Sequence, residues 1–435
     1  MARRTVAVVG GGCAGVLATR ELLRGTGDDV VLVEPGEPGG GLAYGSARPW
    51  HLLNSRAGAM SADPDDAAGF TRFADCSPDD FRPRQEYGAY LRSVFATTAA
   101  EYADRLTVRQ ARAAGVSAEG VTLADGSLVR ADDVVVATGN PQPSQPAARP
   151  EHPDYLADPW RPGVLDAIGT DVPVLLVGAG LTAVDVALTL TEDRNRDAPI
   201  TAVSRRGQLP LTHADVAAPP VGPALDDCNT LRDVVRMVRA EAARAGDWRA
   251  VVDGLRPYLD QLWTAFTPDE QDSFLRHLAR PWECHRHRMA PAVGARVAEL
   301  RGEGRLEVRA GGIRSMVAPP AGGLLVELEA GVQWFGAVVN CAGPGRLPAA
   351  AGEFVGGLLD AGRARVGPHG LGLDIDAAGR LLDADNRYGR LGPGLWLIGP
   401  LRRGARWETT AVPEIRAQAR LLAREFGGAR QPVYV

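Results

Sequence analysis

Val6-Ala7-Val8-Val9-Gly10-Gly11-Gly12-Cys13-Ala14-Gly15 is the stretch that decides the fold, and Glu34 follows it 19 residues after Gly15. Residues 5–9 are a short, β-branched apolar run of the kind that makes a buried parallel strand. Gly10 allows the tight turn out of that strand, Gly12 lets backbone approach a pyrophosphate, and Gly15 lets the next helix pack close on the strand. The helix, expected over residues 13–23, points the positive end of its dipole at the pyrophosphate. Residues 30–33 read as the second strand, ending in Glu34. A carboxylate there accepts hydrogen bonds from a ribose diol and repels a 2′-phosphate, so the unit is expected to bind FAD or NAD rather than NADP.

A second copy of the pattern begins at Val174-Leu175-Leu176-Val177-Gly178-Ala179-Gly180-Leu181-Thr182-Ala183. Gly178 and Gly180 keep the first two glycine positions, and Ala183 replaces the third. The strand expected over residues 200–203 ends in Ser204-Arg205-Arg206 and carries no acid. Guanidinium groups at that place suit a 2′-phosphate through paired, charge-assisted hydrogen bonds. This unit is expected to bind NADPH. If Arg205 and Arg206 are only solvated charges, NADH stays open.

Two such units in one chain imply an α/β protein with two Rossmann-like dinucleotide-binding domains. The length of 435 residues suffices for them, and the 45% apolar content can fill two cores. A net charge of −5 without a long basic run gives no sign of nucleic-acid binding. No apolar run reaches the ~18 residues expected of a membrane span, and the first strand leaves no room for a signal peptide. The five cysteines are scattered and odd in number, as in a reducing cytoplasm. None forms a CxxC or CxxxxC pair, which argues against a disulfide reductase. Cys284, His285 and His287 cluster without a zinc-like spacing, so no metal is expected.

The layout follows. Residues 1–165 and 346–435 are expected to form a split FAD domain, with residues 166–345 as the NADPH domain. Strand-like runs at 106–110, 120–123 and 133–137 lie in the first part, and the last leads into Thr138-Gly139, small residues that admit a cofactor. Residues 141–153 read as a Pro-rich linker. Apolar spacing of three and four marks a helical insertion over about 212–297, with helices at 229–245, 248–264 and 268–278. Strands at 306–308 and 324–328 follow, then a second strand-to-small-residue exit at Asn340-Cys341-Ala342-Gly343. Residues 395–398 lead through Gly399-Pro400 to a helix expected at 409–426. Its start, around Thr410, is expected at the pyrimidine edge of the flavin, where backbone potential favours the anionic reduced ring. Pro400 stands where many flavoproteins place an Asp. Arg402, Arg403 and Arg406 crowd the loop, and Arg402 is a candidate for holding negative charge on flavin or substrate.

Several longer stretches carry a family resemblance: residues 39–45, His51-Leu52-Leu53-Asn54, Ala57 with Met60-Ser61, Arg82-Pro83-Arg84, Tyr87-Gly88, Trp282 with Arg286-His287-Arg288, and Trp407-Glu408. The chain resembles a bacterial family of FAD/NAD(P)-binding proteins that includes nitrosuccinate-forming aspartate N-oxygenases. More distantly it resembles the flavin-dependent N-hydroxylating monooxygenases, within the broader glutathione-reductase-like architecture. The resemblance implies that Asn54 and Met60 lie near the isoalloxazine and that Arg84 contacts FAD or orders the loop beside it. Arg56 departs from the family, which carries proline there, and is a candidate partner for a substrate carboxylate or a surface replacement.

The implied chemistry is oxygenation of a small amine or amino acid by O2, with NADPH reducing FAD and a C4a-hydroperoxide delivering oxygen, in bacterial secondary metabolism. Three alternatives stay open: an imine- or quinone-type flavin reductase, oxygenation of sulfur or carbon, and a non-catalytic redox sensor. A homo-oligomer is possible.

Overall fold

A computed structural model describes residues 3–146, 149–192, 196, 198–225, 228–385 and 392–428. The chain forms two units. The first comprises Met1–Ala47, Arg56–Gln142 and Gly345–Val435, and the second comprises Arg48–Ser55 and Pro143–Pro344.

Strands β1 (Thr5–Val9), β2 (Asp29–Val33), β3 (Leu106–Arg109), β4 (Ala113–Val116), β5 (Gly120–Leu123), β6 (Leu128–Arg130) and β7 (Asp133–Val136) belong to the first unit. The second holds β8 (Tyr155–Leu156), β9 (Val174–Val177), β10 (Ile200–Ser204), β11 (Leu306–Ala310), β12 (Ile313–Val317), β13 (Leu324–Leu328), β14 (Gly331–Phe335) and β15 (Ala337–Asn340). The chain then returns to the first unit with β16 (Gly394–Leu397).

The two units share one internal plan. In the first, a parallel sheet runs β16-β7-β1-β2-β3, beside an antiparallel sheet β4-β5-β6. In the second, the parallel sheet runs β8-β15-β9-β10-β11, beside an antiparallel β12-β13-β14. Each fingerprint strand is central, which is why β1 and β9 are apolar on both faces. Val6, Ala7 and Val8 are wholly buried, as are Val174, Leu175 and Leu176. Ala7, Val9, Val134 and Val136 pack with Val121, Leu123 and Leu373 in the first core. Leu175, Val203 and Val338 pack with Leu324, Val326 and Phe335 in the second.

The glycines explain the sharp exits. Gly10 adopts φ +104°, and a Cβ on it would lie 2.5 Å from the Ala137 carbonyl oxygen at the end of β7. Gly178 repeats this at φ +119°, 2.6 Å from the Cys341 carbonyl oxygen at the end of β15. The helix Cys13–Gly25 starts so close to its strand that a Cβ on Gly15 would fall 1.7 Å from the Gly10 carbonyl oxygen.

Some expectations shift. The first unit gives way to the second at residue 143, not 166: Ser144 N–H donates to the Gly343 carbonyl at 3.0 Å, and β8 joins the second sheet beside β15. The expected linker at 141–153 therefore leads into a strand too short, at two residues, to show a pattern. The excursion of residues 48–55 into the second unit has no signal in spacing. The helix expected over 248–264 is split into Trp248–Leu255 and Leu259–Ala265, with Pro257 in the turn between them. The last helix begins at Val412 rather than 409. The helix Arg84–Glu101 escaped notice because its apolar and polar residues do not segregate to one face.

Gly12 is open by comparison, at φ −70°, and a Cβ on it would meet only the Gly41 Cα within 4 Å, at 3.7 Å. Gly15→Ala is expected to destabilise the chain by more than about 3 kcal/mol, because the clash is with backbone. Gly12→Ala should change stability by less than about 1 kcal/mol. Denaturant titration of the two variants checks the difference, and equal losses would overturn this account of the turn.

Candidate functional site

In the first unit a cavity of about 270 Å³ opens at the carboxyl ends of the parallel strands. Gly10, Glu34, Arg112, Thr138, Asn140 and Leu401 contribute to its wall. This is where the strand-end crevice of an open α/β sheet takes its ligand. Glu34 Oε2 accepts from Gly11 N–H at 2.6 Å and Oε1 accepts from Gly36 N–H at 2.9 Å. The carboxylate is thereby fixed beside the glycine turn. Gly139 takes φ +81° with no atom within 4 Å of a Cβ, so its backbone is open. Gly399, at φ +89°, packs its Cα face toward Ala14 and donates its N–H to Gln418 Oε1 at 2.8 Å. Pro400 begins the turn Pro400–Arg402, and Thr410 is exposed just ahead of the helix Val412–Gly428.

Cys13 begins the fingerprint helix. Burial pushes its thiol up to about 12, against a smaller opposing contribution from the Tyr87 hydroxyl. A helix N-terminus alone would favour the thiolate. Here desolvation wins, and the thiol stays neutral where an anionic phosphate is expected.

Of the candidate catalytic residues, Arg56, Met60 and Arg402 lie in the first unit and Asn54 in the second. Met60 is buried in the first unit, directly after the turn Ala57–Ala59. Arg84 is the first residue of the helix Arg84–Glu101. Arg56 donates to the Asp79 carbonyl at 2.8 Å, pairs with the Asp79 carboxylate at 3.4 Å and lies over the Phe81 ring. Its guanidinium thus ties down the loop 77–81, which answers the departure from proline with a structural contact. Arg402 is buried with its guanidinium 3.4–3.5 Å from a Cβ position on Gly379, inside the first unit rather than at the surface of the loop.

Asn54 belongs to the second unit, where its carbonyl lies 3.1 Å from His213 Nε2. His51, three residues earlier, is the anchor of this short segment. Its Nδ1 accepts from Arg48 N–H at 3.0 Å, which leaves Nε2 as the protonated nitrogen. Nε2 lies 3.0 Å from the Asp185 carbonyl and 2.9 Å from Thr189 Oγ1, both on the helix Leu181–Glu192. His51 is 1% exposed, and its two Nε2 contacts are made away from water.

The second fingerprint has a different surrounding. Ala183 is buried under the Gly178–Gly180 turn. Arg205 and Arg206 are both exposed after β10. Arg206 donates to the His277 and Arg276 carbonyls at 3.2 and 3.3 Å, at the end of the helix Pro268–His277. Coming the other way, Arg280 of the helix Ala279–Arg286 donates to the Ala179 carbonyl at 2.9 Å and also to the Gln208 carbonyl. Sequence reasoning passed over Arg280, which lies 101 positions from Ala179. Among the described residues no group of His, Cys, Asp and Glu could hold a metal ion, and no helix is long and apolar enough to cross a membrane.

Residues 7–141 match the model of a family described as FAD-NAD(P)-binding. The match marks an FAD/NAD(P)-binding domain in the first unit. No curated protein matches the sequence. Among solved structures, the chain is similar to the FAD-bound cadaverine monooxygenase DfoA of the desferrioxamine pathway from Erwinia amylovora, at 14% identity and TM-score 0.68 over 100% of this chain and 98% of that one. It is also similar to the reduced form of the ornithine hydroxylase PvdA from Pseudomonas aeruginosa, at 13% identity and TM-score 0.66 over 99% and 100%. A third similar structure is the Kutzneria sp. 744 ornithine N-hydroxylase KtzI with reduced FAD, NADP+ and L-ornithine, at 14% identity and TM-score 0.65 over 99% and 100%. At these identities the likeness establishes the fold: two Rossmann-like dinucleotide-binding domains.

Two outcomes follow from this geometry. Glu34→Ala removes the carboxylate at the cavity wall and is expected to weaken retention of the bound dinucleotide by roughly 10–100-fold, the scale of a hydrogen bond to a charged group. Cofactor content after gel filtration reads this directly. His51→Ala strands the Arg48 N–H and is expected to lower stability by about 1–3 kcal/mol. An unchanged urea midpoint would remove His51 as the anchor of residues 48–55.

Proposed function

We propose that the chain is an FAD- and NADPH-dependent monooxygenase that oxygenates the amino group of a small amine or amino acid. The observation that carries this reading is the opposite charge at two otherwise repeated strand ends, Glu34 after β2 and Arg205 after β10. A carboxylate suits the unphosphorylated ribose of FAD, and a guanidinium suits the 2′-phosphate of NADPH. The cavity beside Glu34 and the open backbone at Gly12 and Gly139 fit an extended dinucleotide in the first unit.

In this reading Gly10, Gly12 and Gly15 shape the FAD pyrophosphate turn, while Thr138, Gly139, Gly399 and Pro400 border the cofactor. Arg84 and Thr410 lie further along the flavin, by resemblance. Gly178, Gly180 and Ala183 shape the turn for NADPH. The flavin, when bound, accepts hydride from NADPH and activates O2. This chain's residues bind both nucleotides and supply backbone N–H groups at the helix start Cys13–Gly25. The overall balance is one amine, one O2, one NADPH and one proton giving hydroxylamine, water and NADP+.

The cysteines favour oxygenation over disulfide reduction. The five lie far apart in the sequence, and none has a neighbour spaced to form a redox dithiol. The fold is more similar to these N-hydroxylating enzymes than to the disulfide reductases that match over the same extent, which supports the same choice. The substrate class, the bacterial secondary-metabolic setting and the contributions of Asn54, Met60 and Arg402 belong to this proposal.

The test is turnover of the purified flavoprotein with a panel of diamines and amino acids. NADPH should bleach the flavin anaerobically, and an accepted amine should yield hydroxylamine in proportion to O2 consumed. Rapid NADPH oxidation with peroxide as the only oxygen product for every amine, sulfide and ketone offered would instead identify an oxidase or reductase.

A further inference from the structure

The helical insertion and the second fingerprint hold each other by an exchange of arginines. Arg206, from the end of β10, donates to carbonyls at the end of the insertion helix Pro268–His277. Arg280, from the next insertion helix, donates to Ala179 inside the glycine turn and to Gln208 just past β10. A Cβ position on Gly180 is 4.0 Å from Arg280 Nη1. The Glu283 carboxylate is 3.9 Å from the same nitrogen, too long for a hydrogen bond.

We propose that Arg280 is a 2′-phosphate-binding residue of the nicotinamide nucleotide site, sharing the role with Arg205, while Arg206 serves to dock the insertion. The inference rests on the reading of the second unit as the NADPH site. In a Rossmann unit the adenosine ribose lies between the glycine turn and the end of the second strand. Arg280 touches the glycine turn at Ala179 and the chain four residues past the strand at Gln208, and its side chain is 27% exposed, so its guanidinium borders that gap within reach of solvent. Neutral carbonyls are its hydrogen-bond acceptors there. A phosphate is a stronger, charged acceptor matched to the guanidinium fork, and it can displace at least one of them. Arg206 is less suited, because its acceptors lie at the end of the insertion helix Pro268–His277 and not in the glycine turn.

This makes coenzyme choice a property of the insertion as well as of the fingerprint. It also explains how a strand end can carry two adjacent arginines with different work: one faces solvent at the ribose, the other clamps a helix end.

The experiment measures dissociation constants of NADP+ and NAD+ for the FAD-loaded full chain by calorimetry, for the wild type, Arg280→Ala and Arg280→Lys. Circular dichroism and flavin content control for folding. Arg280→Ala should weaken NADP+ by about 10-fold or more and NAD+ by less than about 2-fold, the asymmetry expected for loss of a phosphate fork. Arg280→Lys, which keeps charge without the fork, should fall between. Equal weakening of both nucleotides would place Arg280 at the pyrophosphate and overturn the assignment, as would no change in either. If Arg280→Ala fails to fold, Arg280→Lys decides alone: the assignment stands if NADP+ weakens selectively and falls if it does not. A wild type that binds NAD+ and NADP+ equally defeats the NADPH reading itself, and the assignment with it. That result is distinct because it appears before any substitution is made.

Discussion

The close contact between a glycine turn and the strand that passes beside it governs this molecule. At Gly10 and again at Gly178, the main chain turns so near a neighbouring carbonyl that no side chain fits. Each turn ends a central, largely buried strand and starts a helix within a few residues. The other strands of each sheet are placed around that turn. Its neighbours on one side are reached through a crossover, and on the other through a small antiparallel sheet. The consequence is a crevice at the strand ends where backbone N–H groups and helix dipoles meet a ligand.

The same constraint, used twice, leaves freedom elsewhere. Between β2 and β3 the first unit carries residues that leave it for the second unit and come back, held there by His51. Between β10 and β11 the second unit carries the helical insertion. The insertion is built from well-marked helices, including a capping box in which Thr267 and Glu270 exchange hydrogen bonds. Glu270 also accepts from Leu231 N–H at 2.9 Å, joining two helix starts. The turns are fixed by close backbone contact, and the long excursions between sheet strands are the parts able to differ.

Charge is distributed in keeping with this division. Glu34 is held by two backbone N–H groups, so its carboxylate is oriented before any ligand arrives. Arg56 donates to the Asp79 carbonyl and pairs with its carboxylate, and Arg206 donates to carbonyls at a helix end. An arginine in a functional-looking stretch is thus not enough to mark a ligand contact. The acceptors within its reach decide what it does.

The repeated fingerprints, the parallel sheets and the carboxylate at the end of β2 were all legible in the sequence, because each depends on residues close together in the chain. Glycine spacing, β-branched runs and a strand-end charge are local statements about backbone geometry, and the local chain fixes them. The segment 48–55, the two-residue strand β8 and the break at Pro257 were read less well, since short elements carry too few residues for a pattern to emerge. Arg280 and His51 lay beyond reach for another reason. Their partners are 101 and 134 residues away, and only packing brings a donor to an acceptor over that separation. The sequence by itself determined that two dinucleotide-binding turns exist and what charge ends each one. Tertiary structure decided which side chains stand over those turns, because hydrogen-bond partnership depends on distance in space rather than along the chain.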